Sequence, residues 1–346
     1  MSGNGKPPAR TPANAKNNKR RNPSPRTRYG KLLNQLFAGD DDKGAVPTEE
    51  VREFLQCAAR HHRNYYQYTT FDCLTKMLKS GRLYLTLAAD LNDRIECLVP
   101  KGGRTDSDGS ASLPERTYMA CFGYGGLESM EMWWMYGFNG SPDRGAVRLA
   151  FDGKVLRQWA ESFRWPDKRK RETDEFADGI AADRKSEPGP LCFSQMESSS
   201  FHDVLYRRKP RKQVDAGKVR GAVLWGDRSA PLSRISGIGT GSDGLFRKLP
   251  GFVKDAAWSG ERETRLVVTL KEKAKNVRCL SVPFASVLGS LSEILLGPTE
   301  TEEEMNERKR CTLCRLDRAV LFEDLKHKFD WESLVRCSEN PVRFKK

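Results

Sequence analysis

Apolar and polar positions follow two periods along this chain, and the changes between them mark its elements. PTEEVREFLQCAARHHR (47–63) sets Val51, Phe54, Leu55 and Ala58 at helical spacing. Thr48 stands where a cap is expected, and Glu49 and Glu50 suit the positive end of the dipole. Tyr65 to Thr69 reads as a strand. Thr70 then opens a short helix with Phe71, Leu74 and Leu78 inward, and Gly81 ends it. RLYLTL (82–87), RTYMACF (116–122) and GAVRLAF (145–151) read as strands, whereas LESMEMWWMYG (127–137) and GKVLRQWAESF (153–163) read as helices. Strands return near FHDVLYR and KVRGAVLWG, in the stretch after Trp258, in NVRCLSV (276–282) and in LSEILLGP (291–298). A helix with an acidic start follows over 299–313.

The connections are polar. ADLNDRIE is a turn, 101–115 a mobile loop, 164–200 a charged, irregular insertion, and GIGTGSDG (237–244) a flexible connection without the Lys-Ser/Thr ending of a P-loop. Strands and short helices alternate irregularly, with no succession of full-length crossover helices. An α+β domain with a mixed or antiparallel sheet over 47–340 is therefore expected. Residues 1–46, rich in Pro, Asn, Gly and Lys/Arg, are expected to form a disordered basic tail with a short helical piece at 29–39.

Charge sharpens the division between tail and body. Residues 1–31 hold nine Lys/Arg and no Asp/Glu, while the remainder has 51 basic against 46 acidic residues. YRRKPRKQVDAGKVR (206–220) adds seven basic residues and one acidic. Arg207, Arg208, Lys209, Arg211 and Lys212 form a candidate track for the phosphates of RNA or DNA, and a solvated loop is the plainer explanation. No apolar run approaches the ~18 residues that cross a bilayer, and no signal-peptide core opens the chain, so no membrane contact and a cytoplasmic location are expected. The nine cysteines lie mostly in apolar or strand-like runs, as at Cys73, Cys97, Cys121 and Cys279, which suits buried, reduced thiols. Cys311 and Cys314 make a lone CxxC without a second pair, and no His/Cys cluster has zinc spacing, so no metal site is expected.

Two stretches carry candidate chemistry. In MEMWWMY, adjacent Trp133 and Trp134 cannot both point inward from one helix, so one indole is expected at an edge where it can stack on a planar ligand. In KDAAWSGERETRLVVTL (254–270), an extended chain would put Glu261, Glu263 and Arg265 on one face at the mouth of a buried strand. A salt-bridged strand face would explain these three as simply. Partial burial beside Trp258 would instead make them a site.

Six ordered blocks, spanning about residues 64–298, resemble a widespread bacterial domain family of unknown function. They are YQYTTFDCLTKMLKSGRLYLT, LNDRIE, CF with MEMWWMYG, GAVRLAFD, Lys254-x3-Trp258-x2-Glu261-x-Glu263-x-Arg265, and SEILLGP. The family pattern runs Tyr-x-Tyr-Thr-Ser, Asn-Asp-x-x-Glu, Cys-Phe-Ser, Met-Trp-x-x-Tyr, Gly and Trp-x-x-Glu-x-Glu-x-Arg. Its opening block, more distantly, is similar to the first NAD-binding block of ADP-ribosyltransferases. This resemblance implies an ADP-ribosyltransferase-like core with NAD as substrate. Glu263 would act at the ribose with Glu261 beside it. Gln67, Tyr68, Thr69, Asn92, Trp133, Tyr136 and Arg265 would hold the nucleotide. Gly123 replaces the family's Ser, and Gln67 or Tyr68 stands where the transferases have His or Arg. The kind of family suggests phage defence or a toxin, with nucleic acid as acceptor. Two other readings remain: a non-catalytic nucleic-acid-binding module, and a metal-dependent nuclease using Asp93, Glu96 and the glutamate pair.

Overall fold

A computed structural model describes residues 25–37, 46–91, 113–138, 145–164, 169–181, 189–208, 222–226, 228–231, 235–236, 251–299 and 301–339. Helix α1 (Pro25–Phe37) precedes α2 (Thr48–Ala59), β1 (Asn64–Thr70), α3 (Phe71–Ser80), β2 (Arg82–Leu87) and β3 (Thr117–Gly123). Then come β4 (Ala146–Asp152), α4 (Gly153–Glu161), β5 (Glu175–Ala181), β6 (Pro190–Cys192), β7 (Met196–Asp203), β8 (Leu205–Arg208), β9 (Ala222–Trp225) and β10 (Arg228–Pro231). The chain closes with β11 (Val253–Asp255), β12 (Glu263–Leu270), β13 (Val277–Pro283), β14 (Leu291–Leu296), α5 (Glu302–Asp317) and β15 (Val335–Cys337).

The arrangement is α+β, a mixed sheet with several short helices. Among the described residues eleven strands form the main sheet, in the order β15-β14-β4-β1-β3-β2-β13-β5-β6, with β12 joined to β3 and β7 joined to β12. The register of β12 on β3 runs from Glu263 opposite Gly123 to Thr269 opposite Thr117. On its other edge, Arg265 lies opposite His202. A four-stranded sheet, β10-β9-β8-β11, begins where the chain passes from β7 to β8 at Val204, and β11 runs parallel to β8.

Local signals placed several boundaries. Thr70 caps α3 by accepting from the Cys73 amide at 3.3 Å, and Gly81, at φ 64°, ends it. A Cβ on Gly81 would also meet the Phe322 ring at 2.7 Å, so that position favours glycine twice over. Thr48, by contrast, is the first residue of α2 rather than its cap, and no side chain caps that helix.

Tertiary contacts corrected other expectations. The short helical piece expected at 29–39 is present as α1, but it is docked rather than part of a loose tail: Leu32 and Leu36 are buried with Phe54, Leu55, Leu205 and Val253 in a second core. Two leucines four residues apart suffice to dock one turn once α2 offers an apolar surface. The expected insertion at 164–200 supplies β5, β6 and most of β7, and β7 pairs with β12 from Thr264 to Leu270. Its charges obscured the strand alternation of buried Phe176, Leu191 and Met196. The expected buried thiols are not seen: Cys73 is exposed, Cys121 and Cys279 are partly exposed, and Cys97 lies outside the described residues. All eight described cysteines are free. No helix among the described residues is long and apolar enough to cross a membrane.

Candidate active site

Trp258 and Glu261 lie in a 3-10 segment, Ala256–Glu261, which Asp255 caps by accepting from the Ala257 amide at 2.9 Å. Arg262 then takes a left-handed conformation at φ 46°, and the strand starts only at Glu263. The expected continuous strand face is thus corrected, because Glu261 is not extended. The reversal at Arg262 brings the two carboxylates together instead, against Lys254 at the end of the neighbouring sheet.

The resulting cluster is buried: Glu261 is 2 % exposed, Glu263 3 %, Arg265 1 % and Lys254 4 %. Lys254 Nζ donates to Glu261 Oε2 and lies 3.6 Å from Glu263 Oε2. Arg265 grips Glu263 Oε2 through Nη2 and, at 3.0 Å, through Nε, and its Nη1 donates to the Gly251 carbonyl at 3.3 Å. Tyr136 donates its hydroxyl proton to Glu261 Oε1 at 2.8 Å, and the Glu263 amide donates to Tyr206 Oη at 2.8 Å. Two carboxylates and two cations balance in formal charge, which allows the group to leave water.

Their environments push the two acids apart. Burial and then the charge of Glu263 raise Glu261 to about 7, against the pull of Lys254. Burial opposes ionisation of Glu263 as well, but Arg265 and Lys254 together hold it below the ordinary carboxylate range. Tyr136 is raised by burial and by the charge of Glu261, so it stays a hydrogen-bond donor near neutrality. One ionised carboxylate beside one that titrates near neutrality is a recurring arrangement for acid–base work.

A cleft of about 630 Å³ opens over this cluster on the sheet face formed by β1, β2, β3 and β12. Glu263, Arg265 and Lys254 line it together with Tyr68, Tyr136 and Trp134. Gln67 also lines it, and its buried side-chain oxygen has no hydrogen-bond partner among the described residues. Glu261 stands behind, in the wall of a smaller pocket of about 240 Å³, and reaches the cleft through Tyr136 and Lys254. Tyr68 is fixed by its hydroxyl, which accepts from the Ser129 amide at 3.0 Å, and by edge contact with Trp133, 4.9 Å between centroids.

The cleft gathers five of the expected residues, Glu263, Gln67, Tyr68, Tyr136 and Arg265, and leaves out others. Trp133 is 0 % exposed and donates its indole N–H to Glu128 at 3.0 Å, so it is structural. Trp134, 51 % exposed, is the edge indole instead. A π turn over Trp133–Gly137 sets these directions, sending Trp134 and Tyr136 to the cleft. Thr69 does not line it. Asn92, Asp93 and Glu96 lie outside the described residues, as do Lys209, Arg211 and Lys212. Arg207 and Arg208 sit on β8, with Arg207 opposite Asp255. Cys311 and Cys314 are exposed on α5, and a hydrogen bond from Cys311 to Glu307, 3.1 Å, raises that thiol. Among the described residues no three His, Cys, Asp or Glu side chains are grouped to hold a metal ion.

Lys254, Tyr84 and Trp258 also line the cleft, and the sequence pattern assigned none of them a role there. The signal for Lys254 was its place before an Asp-capped turn that ends at Glu261, which returns the chain onto the lysine. Comparison with protein-family models, with curated proteins and with solved structures finds no match to this chain.

Proposed function

We propose that the cleft takes NAD as a substrate and that the protein transfers ADP-ribose from it to a macromolecule or to water. The observation that carries this reading is the buried pair of carboxylates at an aromatic cleft, Glu263 in its wall tied to Arg265 and Glu261 behind it tied to Lys254, an arrangement that holds Glu263 low and leaves Glu261 raised to about 7. The volume falls within the ~300–1,000 Å³ of small-molecule sites. Breaking the C1′–nicotinamide bond sends the electron pair to the departing ring nitrogen and leaves oxocarbenium character on the ribose. Glu263 stabilises that charge as it grows, more in the transition state than in the ground state. An acceptor N–H or O–H, or water, then bonds to C1′ and gives its proton to Glu261, with Tyr136 as the link into the cleft. Arg265, tied to Glu263 and the Gly251 carbonyl, holds the carboxylate in place rather than gripping a phosphate. The basic stretches 1–31 and 206–220 favour RNA or DNA as acceptor.

The test is nicotinamide release and label transfer from adenylate-labelled NAD, with RNA, DNA and cell extract offered. Wild type should release nicotinamide, and Glu263→Gln should reduce the rate by ~10²–10³-fold. Tyr136→Phe, which leaves the three ion pairs of the cluster intact, should lower the rate and remove the limb of the pH profile near 7. Silence from folded wild type with every acceptor present rejects the reading.

A second reading has its own observation. The four charges neutralise one another and tie β11 to β12, so the same cluster suffices as an internal rivet. That reading expects Glu263→Leu with Arg265→Met to restore stability while function, whatever it is, survives.

A further inference from the structure

Away from the cleft, and sharing no residue with it, a second cavity of about 180 Å³ lies where α2 and α4 end beside β7. Arg60, Arg157 and Arg164 line it with Gln56 and one carboxylate, Glu161. That carboxylate is 3.9 Å from Arg60 Nε, an ion pair without a hydrogen bond. Arg157 donates to the His62 carbonyl at 2.8 Å, which fixes it in the wall between the two helices. Arg164 makes no ion pair among the described residues. The Ser199 hydroxyl is turned to the Phe163 carbonyl and the Ser200 hydroxyl is paired with His202 Nδ1 at 3.2 Å, so the arginines and Gln56 are the side-chain donors left to face the space.

Two helix C-termini meet here, and their carbonyl dipoles attract a cation each. That explains Arg60 and Arg164 separately, but not three guanidiniums around one cavity against a single loosely held acid. Like charges so placed repel, and an anion seated among them relieves that repulsion. We propose that this cavity binds a phosphate group, free or as the head of a small phosphate ester. Guanidinium forks match phosphate oxygens in pairs, and donors from two helices surround a tetrahedral anion better than a planar one. At ~30 Å³ per water, the space suits one phosphate with a few waters and leaves any ester to project outward.

The test is equilibrium dialysis of radiolabelled inorganic phosphate against the full chain, at ionic strength matched with chloride. Wild type should show one saturable site. Arg60→Ala with Arg164→Ala should weaken it about tenfold or more, since each charged hydrogen bond contributes at least that scale of affinity. Both side chains are exposed, and an unchanged unfolding midpoint should accompany the loss. Trp134→Ala, at the exposed rim of the cleft, should bind phosphate as wild type does, which separates this site from the cleft. Displacement by adenosine monophosphate but not adenosine would identify an ester as ligand; displacement by neither would identify free phosphate. Absence of saturable binding, or equal binding by the double variant, would overturn the proposal.

Discussion

On one face of β12, Leu266 and Val268 are buried in a core that includes Tyr65, Phe122 and Leu280. On the other face, one residue away, Glu263 and Arg265 are buried to the same degree. The apolar face gains from each side chain separately, roughly in proportion to the area removed from water. The ionic face works as a unit, because removing one charge leaves its partner buried and uncompensated. Equal burial therefore conceals two different dependences on neighbours, and only the ionic face opens onto a cleft.

The largest expected effect breaks that unit. Arg265→Met should cost about 3–5 kcal/mol in urea unfolding, and adding Glu263→Leu should recover most of the loss. Recovery would establish the ionic face as cooperative; two additive losses would place it with the apolar face. Leu266→Ala should cost a comparable ~2–5 kcal/mol, with no partner substitution able to rescue it except one that refills the cavity.

A smaller effect concerns pH. Glu261 is raised to about 7 in the folded chain, above its ordinary 4.5, so the folded state binds the extra proton between those values. Stability contributed by that proton is present in full below about pH 4.5 and is lost as pH rises through about 7. Glu261→Gln should therefore flatten this part of the curve, with the variant gaining on wild type as pH rises from 5 to 8. Urea midpoints across that range measure it. Glu263, held low by Arg265 and Lys254, has the opposite sign: its contribution is lost as pH falls below the ordinary carboxylate range.

The smallest change in stability should come from the rim. Trp134→Ala, at a half-exposed position, should leave the unfolding midpoint nearly unchanged. Under the proposed function it should also weaken NAD binding by roughly 1–3 kcal/mol, through loss of stacking on a base or nicotinamide ring. Trp133→Phe should do the reverse, disturbing the Glu128 contact and the fold more than binding. A binding loss confined to Trp133 would reverse the roles assigned to these neighbours.

Elements governed by local chemistry were legible in advance. Thr70 and Gly81 bound α3 as expected; the helix at 153–163 was expected without its cap, which the structure assigns to Asp152, accepting from the amides of Lys154 and Val155 at 2.9 and 3.0 Å. The alternation in RLYLTL marked β2 correctly, and the apolar run GAVRLAF marked β4, which is buried on both faces. A short helical piece was legible near α1 but its docking was not, because its two buried leucines gain their surface from α2 and the four-stranded sheet. Strands β5 to β7 were hidden because charged neighbours masked a pattern that pairing with β12 and β13 makes stable. In the cleft, the types of residue were apparent and their order was not. Spacing marked Glu261 and Glu263 as companions, but assigned them one strand face.

The sequence by itself determined that an apolar strand would follow the Glu-x-Glu pair, that two adjacent tryptophans would part company, and that charge would concentrate near the N-terminus. Those results depend on period, volume and composition, which act within a few residues. Only the tertiary structure decided that Lys254 stands between the carboxylates, that Trp134 rather than Trp133 reaches the cleft, and that one acid is ionised while its neighbour titrates near neutrality. These depend on a left-handed residue at 262, a π turn at 133–137 and the meeting of two sheets. Electrostatics between buried groups follows distance in space, and no separation along the chain specifies that distance.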